Sequence, residues 1–367
     1  MKRLEPATPA ELAEALACGQ RIHLGGAFTK RLMGGPCREV DIEISTRRLT
    51  RIVQYEPADL TISVEAGVKW CELTNLLAKN RQMIPLDPPF AGEATVGGVV
   101  AASASGPRRR LYGSVRDAVI GMHFATLDGR LIQSGGMVVK NVAGLDMAKM
   151  MIGSMGTLAG IAVVNFKLTP QPEEERTFVF RAHTAEPVFA WLDRILEGVL
   201  QPSAIDVLNP AAAARLRFDG WTLLLRAGGN AAVMKRYARE LNDFEAVGID
   251  SWTAVQEFTP IYLAEHAAGA VVRASTKLRE VRAVMESFNG PAVSRAGSGV
   301  TYGYFPQSAL ASDWMKSQPW PRIVEFAEQF DGDRWPGPGD DFETMRRVKA
   351  MFDPQELLNP GRLYGRL

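Results

Sequence analysis

Apolar and polar positions change their period repeatedly along the first third of the chain. Apolar residues at helical spacing follow Thr8-Pro9-Ala10-Glu11, a capping box with proline at the first helical position, and Gly19 can close that helix. Arg21-Ile22-His23-Leu24 reads as a short strand running straight into Gly25-Gly26-Ala27-Phe28-Thr29-Lys30. Strands follow over residues 40–44, 51–55 and 60–64, then a helix with Trp70, Leu73, Leu76 and Leu77 on one face. Residues 118–126 and 130–133 flank Leu127-Asp128-Gly129, a hairpin signal. The spacing predicts a helix over 145–151 and a closing strand over 157–168.

The pattern then breaks. Thr169-Pro170-Gln171-Pro172-Glu173-Glu174-Glu175 mixes proline with like charges, the composition of an exposed boundary. Beyond it, residues 177–182, 187–197, 204–208, 221–227 and 231–241 read as β-α-β-β-α, most of a ferredoxin-like split unit. A second proline- and glycine-rich linker, 331–339, precedes a helix over 342–351. This predicts an α+β protein divided as 1–172, 173–335 and a terminal segment 336–367, with no internal repeat visible.

Composition narrows the function. At ~150 residues per domain, 367 residues suggest two or three domains. Apolar residues at 46% and charged residues at 23% suit a globular chain and exclude disorder as its main state. The 42 Lys and Arg against 41 Asp and Glu leave no cationic excess for nucleic acid. Cys18, Cys37 and Cys71 form no CxxC pair and cannot hold a four-thiolate iron–sulfur cluster, so a reducing cytoplasm is the expected setting. The longest uncharged stretch, 150–166, falls short of the ~20 residues of a spanning helix, and Met1-Lys2-Arg3-Leu4-Glu5-Pro6 lacks the apolar core of a secretory signal.

Several chemistries fall away. No GxGxxG stands between a strand and a helix, and no GxxxxGK[ST], HExxH or GxSxG occurs. His23, His123, His183 and His266 are scattered and read as packed or surface residues, so no metal is expected. What remains is backbone. Residues 91–160 hold 13 of the 34 glycines, which fits either backbone that approaches a ligand closely or a loop-rich sheet. Gly25-Gly26-Ala27-Phe28-Thr29 can form a nest of N–H donors, and Ala94-Thr95-Val96-Gly97-Gly98 can cap a helix against a ligand. With Leu86-Asp87-Pro88-Pro89, Ser105-Gly106-Pro107, Gly113-Ser114 and Gly153-Ser154-Met155-Gly156, these turns suit an extended, phosphate-bearing ligand.

Taken in order, GGAFTK, LDPP, ATVGG, SGPRR, YGSVRD, GGMVVKNVAG, GSMGTLAGI and FDPQELLNPGRLY resemble the FAD-binding domain of the vanillyl-alcohol-oxidase (PCMH-type) flavoprotein family. Within that family they are nearest the FAD-binding subunits of bacterial glycolate oxidase complexes. The likeness implies a two-subdomain FAD module, an α+β (ferredoxin-like) cap domain and a terminal segment returning to the FAD module. By position it makes Gly25, Gly26, Ala27, Phe28, Thr29 and Lys30 the pyrophosphate loop. Pro88, Pro89, Thr95, Gly97, Gly98, Ser105 and Gly106 would line pyrophosphate, ribityl chain and ring. Gly113, Ser114 and Val119 would lie toward the adenine, and Gly156 to Ile161 would close the pocket.

Departures from the family pattern are informative. Where many relatives tether FAD through a histidine after the paired glycines, this chain has Ala27, which predicts non-covalent FAD. Relatives that oxidise 2-hydroxy acids alone carry a histidine-rich metal motif, and Ser294-Arg295-Ala296-Gly297-Ser298-Gly299-Val300-Thr301 keeps its glycines without a histidine. Leu145 replaces the tyrosine of the family's GYD motif. No catalytic residue is therefore assigned. The resemblance implies a glycolate-to-glyoxylate oxidase complex in which a sister flavoprotein does the hydride chemistry and an iron–sulfur subunit carries electrons onward. Two rivals stand beside it: a self-sufficient FAD oxidoreductase of another 2-hydroxy acid or alcohol, and a non-catalytic scaffold. Arg108-Arg109-Arg110 reads as a partner for phosphate or an acidic surface, or as a solvated basic turn; Lys140 reads as a cation near the flavin ring or as a surface lysine.

Overall fold

A computed structural model describes residues 1–138, 145–248 and 250–367. They form two compact units, one of Met1–Ser105, Gly113–Gln171 and Gly337–Leu367, the other of Gly106–Tyr112 and Pro172–Pro336.

The first unit holds ten strands: β1 (Lys2–Leu4), β2 (Ile22–Gly25), β3 (Ile42–Ser45), β4 (Ile52–Glu56), β5 (Thr61–Glu65), β6 (Gln82–Met83), β7 (Val119–Ala125), β8 (Leu131–Gly135), β9 (Gly160–Lys167) and β10 (Thr169–Pro170). A parallel sheet has the order β1-β3-β2; an antiparallel one has β4-β5-β9-β7-β8; β6 and β10 pair alone. The first helix, Pro9–Leu16, begins as its sequence requires: Thr8 Oγ1 accepts from Glu11 N at 3.1 Å. Glu11 reaches back one residue further than in a standard capping box, to Ala7 N at 2.8 Å. Leu12, Ala13 and Leu16 bury one face against Ile22, Ile42 and Ile44 of the parallel sheet. A second core gathers Trp70, Leu73 and Leu77 from the Trp70–Ala78 helix with Val96, Val99, Phe124 and Phe166.

Two expectations need correction here. The helix expected over 145–151 is only Ala148–Met151, because Ser134 Oγ takes the Ala148 N–H at 3.2 Å and helical bonding starts there. The strand expected from Thr157 starts at Gly160, because Gly153, Met155 and Gly156 all have positive φ and coil the backbone before it.

The second unit is one eight-stranded antiparallel sheet of β11 (Glu174–Ala182), β12 (Ala204–Leu208), β13 (Trp221–Gly229), β14 (Glu245–Val247), β15 (Ala270–Ser275), β16 (Ala292–Arg295), β17 (Val300–Phe305) and β18 (Arg322–Ala327). Its order is β14-β11-β13-β12-β16-β17-β15-β18. The first four strands, with helices Ala185–Glu197 and Ala231–Glu240, complete the ferredoxin-like βαββαβ pattern and its 4-1-3-2 order. The last four, with helices Val281–Glu286 and Ser308–Ser317, have the same order, so the fold does contain an internal repeat. The two halves meet along their second strands, where β12 and β16 share the pairs Val207↔Ser294 and Leu208↔Val293. Phe178, Leu223, Leu225, Ala292 and Phe305 belong to the core on one face of this sheet. The alternate residues, among them Leu224, Asp206, Val293, Tyr302 and Arg273, share the other.

Candidate functional site

In the first unit, β2 ends at Gly25 and its chain turns into an open cleft. The turn is held from behind: Ser45 Oγ donates to Gly26 O at 2.8 Å and Thr46 Oγ1 to Gly25 O at 3.4 Å. With the carbonyls turned away, the N–H groups of Gly26, Ala27, Phe28 and Thr29 make no hydrogen bond within the protein among the described residues. Buried backbone donors are almost always satisfied, so four successive ones at a cleft form a nest for an anion. Phe28 sits at φ 56°, as do Met155 (54°) and Asn359 (45°) across the cleft; such strain gathers where a site holds its backbone in place.

Close approach explains two glycines. A Cβ on Gly26 would stand 2.0 Å from Thr95 Oγ1, and one on Gly97 2.8 Å from Ala66 Cβ. Thr95 in turn caps the Val96–Ala101 helix, accepting from Gly98 N at 3.3 Å. A Cβ on Gly98 would meet only Thr95 Oγ1, at 3.2 Å, so this glycine leaves room at the cleft wall.

The side chains of the lining carry one sign of charge. Lys30, Arg31 and Arg362 are there, and no Asp or Glu. Arg362 is 5% exposed and donates to the carbonyls of Arg31, of Gly35 (2.6 Å) and of Lys30 (2.9 Å). Lys30 lies over the Phe90 ring, 5.5 Å from its centroid. Asn359 spans the cleft floor, accepting from Leu24 N at 2.7 Å while donating to Leu24 O and Met155 O at 3.1 and 2.8 Å. Burial pushes the neighbouring Cys37 thiol up to about 11, so it stays protonated.

His23 also lines the cleft, edge-on to Phe28 at 4.9 Å. Burial, with Arg362 and Arg31 adding to it, lowers its pKa to about 4. Glu43 Oε2 stands 3.7 Å from Nδ1, too far for a hydrogen bond, and leaves the ring neutral at neutral pH. A histidine that folds with its pKa lowered from 6.5 contributes stability that is complete above pH 6.5 and lost as the pH falls toward 4. The loss amounts to about 3 kcal/mol. Urea titrations at pH 4 to 7 should show a shallower acid slope in His23→Gln; an unchanged slope would show that the ring protonates in the fold.

Of the expected site residues, Gly25, Gly26, Ala27, Phe28, Thr29, Lys30, Thr95, Gly97, Gly98, Gly156 and Ile161 come together in this lining. The others lie elsewhere. Pro88 and Pro89 sit between Asp87 and Phe90, both at positive φ, and Ser105 follows the helix that Thr95 caps. Gly113 and Ser114 form a turn closed by Asp117 Oδ2, which accepts from Ser114 N and Oγ at 2.8 and 2.9 Å. Val119 is buried at the start of β7, and Gly106 belongs to the second unit. Lys140 lies outside the described residues. Asn359 and Arg362 were missed; the only signal for them was an Asn-Pro-Gly-Arg turn in the terminal segment. Of the three arginines 108–110, Arg110 is built into the second unit, donating to Pro202 O at 3.0 Å with its stem against Gly297.

That unit carries a second constellation, on the sheet face opposite its helical core. Arg273 and Tyr302 are directly paired across β15 and β17. Arg295 forms an ion pair with the buried Asp206, and Arg273 Nε lies 3.9 Å from Glu325 Oε2. Glu325 Oε2, Arg273 Nε and Arg295 Nε are buried without a hydrogen bond, which marks polar capacity that the fold itself does not use. Burial drives the Glu325 carboxyl above its usual range despite the two guanidinium groups, and drives the Tyr302 phenol up to about 12. Two arginines and a phenol are donors suited to a carboxylate, and the Glu325 oxygen that accepts no hydrogen bond beside them can take a proton. Among the described residues no group of three or more His, Cys, Asp or Glu is placed to hold a metal, and no helix is long and apolar enough to cross a membrane.

Comparison with known proteins gives these features a context. Residues 3–135 match the FAD binding domain family model, and residues 337–363 match the C-terminal domain of FAD linked oxidases. Glycolate oxidase subunit GlcE of Escherichia coli (strain K12) is 28% identical over 361 residues, 97% of this chain and 96% of its own length. Glycolate oxidase subunit GlcD of Bacillus subtilis (strain 168) is 23% identical over 386 residues, covering 91% of this chain and 82% of its own. A solved structure of alkyldihydroxyacetonephosphate synthase superposes with a TM-score of 0.73 at 16% identity, over 98% of this chain and 76% of that one, a likeness of fold.

Proposed function

From the premise that the chain is a PCMH-type flavoprotein, an FAD-dependent oxidoreductase of the FAD-linked oxidase family, we propose that it oxidises a short 2-hydroxy acid as a subunit of a glycolate oxidase-like complex. The observation that carries this reading is the cleft itself: four unpartnered backbone N–H groups and three cations, with no carboxylate in the lining. That donor set fits the diphosphate of FAD. Gly25 to Lys30 would cradle it, Thr95, Gly97 and Gly98 would let the ligand lie against the capped helix, and Gly156 and Ile161 would close the wall. Ala27 offers no nucleophile for a covalent link, so the flavin is held by contacts alone.

When bound, FAD supplies the two-electron acceptor that turns an alcohol into a carbonyl. The chain's own residues supply the rest. Within the second unit, Arg273, Arg295 and the Tyr302 hydroxyl would offer donors to a carboxylate, and Glu325 Oε2 an acceptor for a proton. Glycolate would leave as glyoxylate. A relative named as a glycolate oxidase subunit favours partners, among them a sister flavoprotein and an iron–sulfur protein.

The visible spectrum of the purified chain tests this. Flavin bands should pass into the supernatant on acid precipitation, and anaerobic glycolate or D-lactate should bleach them. Arg273→Met should raise the KM for the acid about tenfold or more, the worth of one charged hydrogen bond. A chain that stays colourless with excess FAD would defeat the reading. Bleaching that needs the partner subunits would assign hydride chemistry to the sister flavoprotein and leave this chain to relay electrons.

A further inference from the structure

Resting on the reading of the cleft as the FAD site, we propose that Arg362 binds the cofactor diphosphate and so makes docking of the terminal segment and cofactor binding one coupled event. Three of the five guanidinium N–H donors go to the carbonyls of Lys30, Arg31 and Gly35. The Nε–H and one Nη2–H remain, on a side chain that lines the cleft. Arg362 has no carboxylate partner among the described residues, and the nearby Cys37 thiol is protonated. A 95% buried cation without an anion is costly, and here two further cations, Lys30 and Arg31, line the same space. A dianion entering the cleft removes that repulsion.

Arg362 is more than 300 residues away in sequence from the loop it grips, so its charge ties two distant segments together. The grip is mutual: Arg38 donates from its backbone N to Pro360 O at 2.8 Å and from Nη2 to Gly365 O at 2.6 Å. Any ligand that prefers the docked Arg362 must, by linkage, tighten the segment that carries it.

The test uses the full chain stripped of flavin, as wild type, Arg362→Gln and Arg362→Lys. Affinities for FAD, ADP and riboflavin separate a diphosphate contact from general support of the loop. Arg362→Gln should weaken FAD and ADP about tenfold to a hundredfold, the range for charge-assisted bonds, and leave riboflavin unchanged. Arg362→Lys should restore part of the loss. In the wild type, FAD and ADP should slow trypsin cleavage after Arg362 and Arg366, and riboflavin should not. Equal losses for FAD and riboflavin would overturn the proposal by showing a purely structural role, as would unchanged FAD affinity in Arg362→Gln. A wild type that binds neither FAD nor ADP would overturn the cleft reading beneath it.

Discussion

Asp353→Ala should cost about 3–5 kcal/mol of folding stability, the usual penalty for removing one partner of a buried ion pair. Asp353 is fully buried, and its carboxylate accepts from Lys349 Nζ (2.6 Å), Leu358 N (2.7 Å) and Leu357 N (2.9 Å). Lys349, 3% exposed, also donates to Thr157 O at 2.8 Å and Leu358 O at 2.9 Å, and burial already pulls its pKa down. Without Asp353 the ammonium would keep two carbonyls and no counter-charge, while two backbone N–H groups lost their acceptor. Because Leu357 O accepts from Ile22 N at 2.7 Å, the damage reaches the strand that leads into the cleft. For a domain stable by about 5–15 kcal/mol, this is a large share. Urea unfolding should show it, and Lys349→Met combined with Asp353→Leu should recover part of the loss by replacing the pair with apolar contact. A midpoint unchanged in Asp353→Ala would mean that water already reaches the pair.

Gly26→Ala acts on the cleft rather than on the core. The added methyl would lie 2.0 Å from Thr95 Oγ1 and 2.9 Å from Thr95 Cβ, so the loop and the capped helix must move apart. The loop cannot yield freely, because Gly26 O is held by Ser45 Oγ. Overpacking of this kind costs about 1–3 kcal/mol, and here it falls on the geometry that binds the cofactor, so FAD affinity should drop about tenfold to a hundredfold. Gly92→Ala is the control: a Cβ there meets nothing within 4 Å, and flavin content should stay at the wild-type level. Full flavin occupancy in Gly26→Ala would show that the paired glycines do not touch the ligand.

Local chemistry made the first unit readable. The Thr8 cap, the Leu127-Asp128-Gly129 turn with Gly129 at φ 81° and the glycine loop after β2 each announce themselves within a few residues. The second half of the large sheet did not, because its evidence is non-local. β15 takes a register shift between Val271 and Val272, its helix Val281–Glu286 is short, and its partners are strands found only by pairing. Arg273, Tyr302 and Glu325 were invisible for the same reason: nothing in their neighbours tells that three strands bring them to one face. Asn359 and Arg362 escaped because each acts on carbonyls more than 200 residues away.

The duplicated sheet makes its two halves electrostatically dependent on each other. Its two halves share a short ladder of two residue pairs, and the Arg295–Asp206 ion pair ties them together beside it. The face opposite the helical core is not equally charged in the two halves. The second half contributes Arg273, Arg295, Tyr302 and Glu325, and the first half contributes Asp206 beside the apolar Val179 and Leu224. A substitution at Asp206 or Arg295 therefore acts on both copies at once, because the charge of one is balanced by the other.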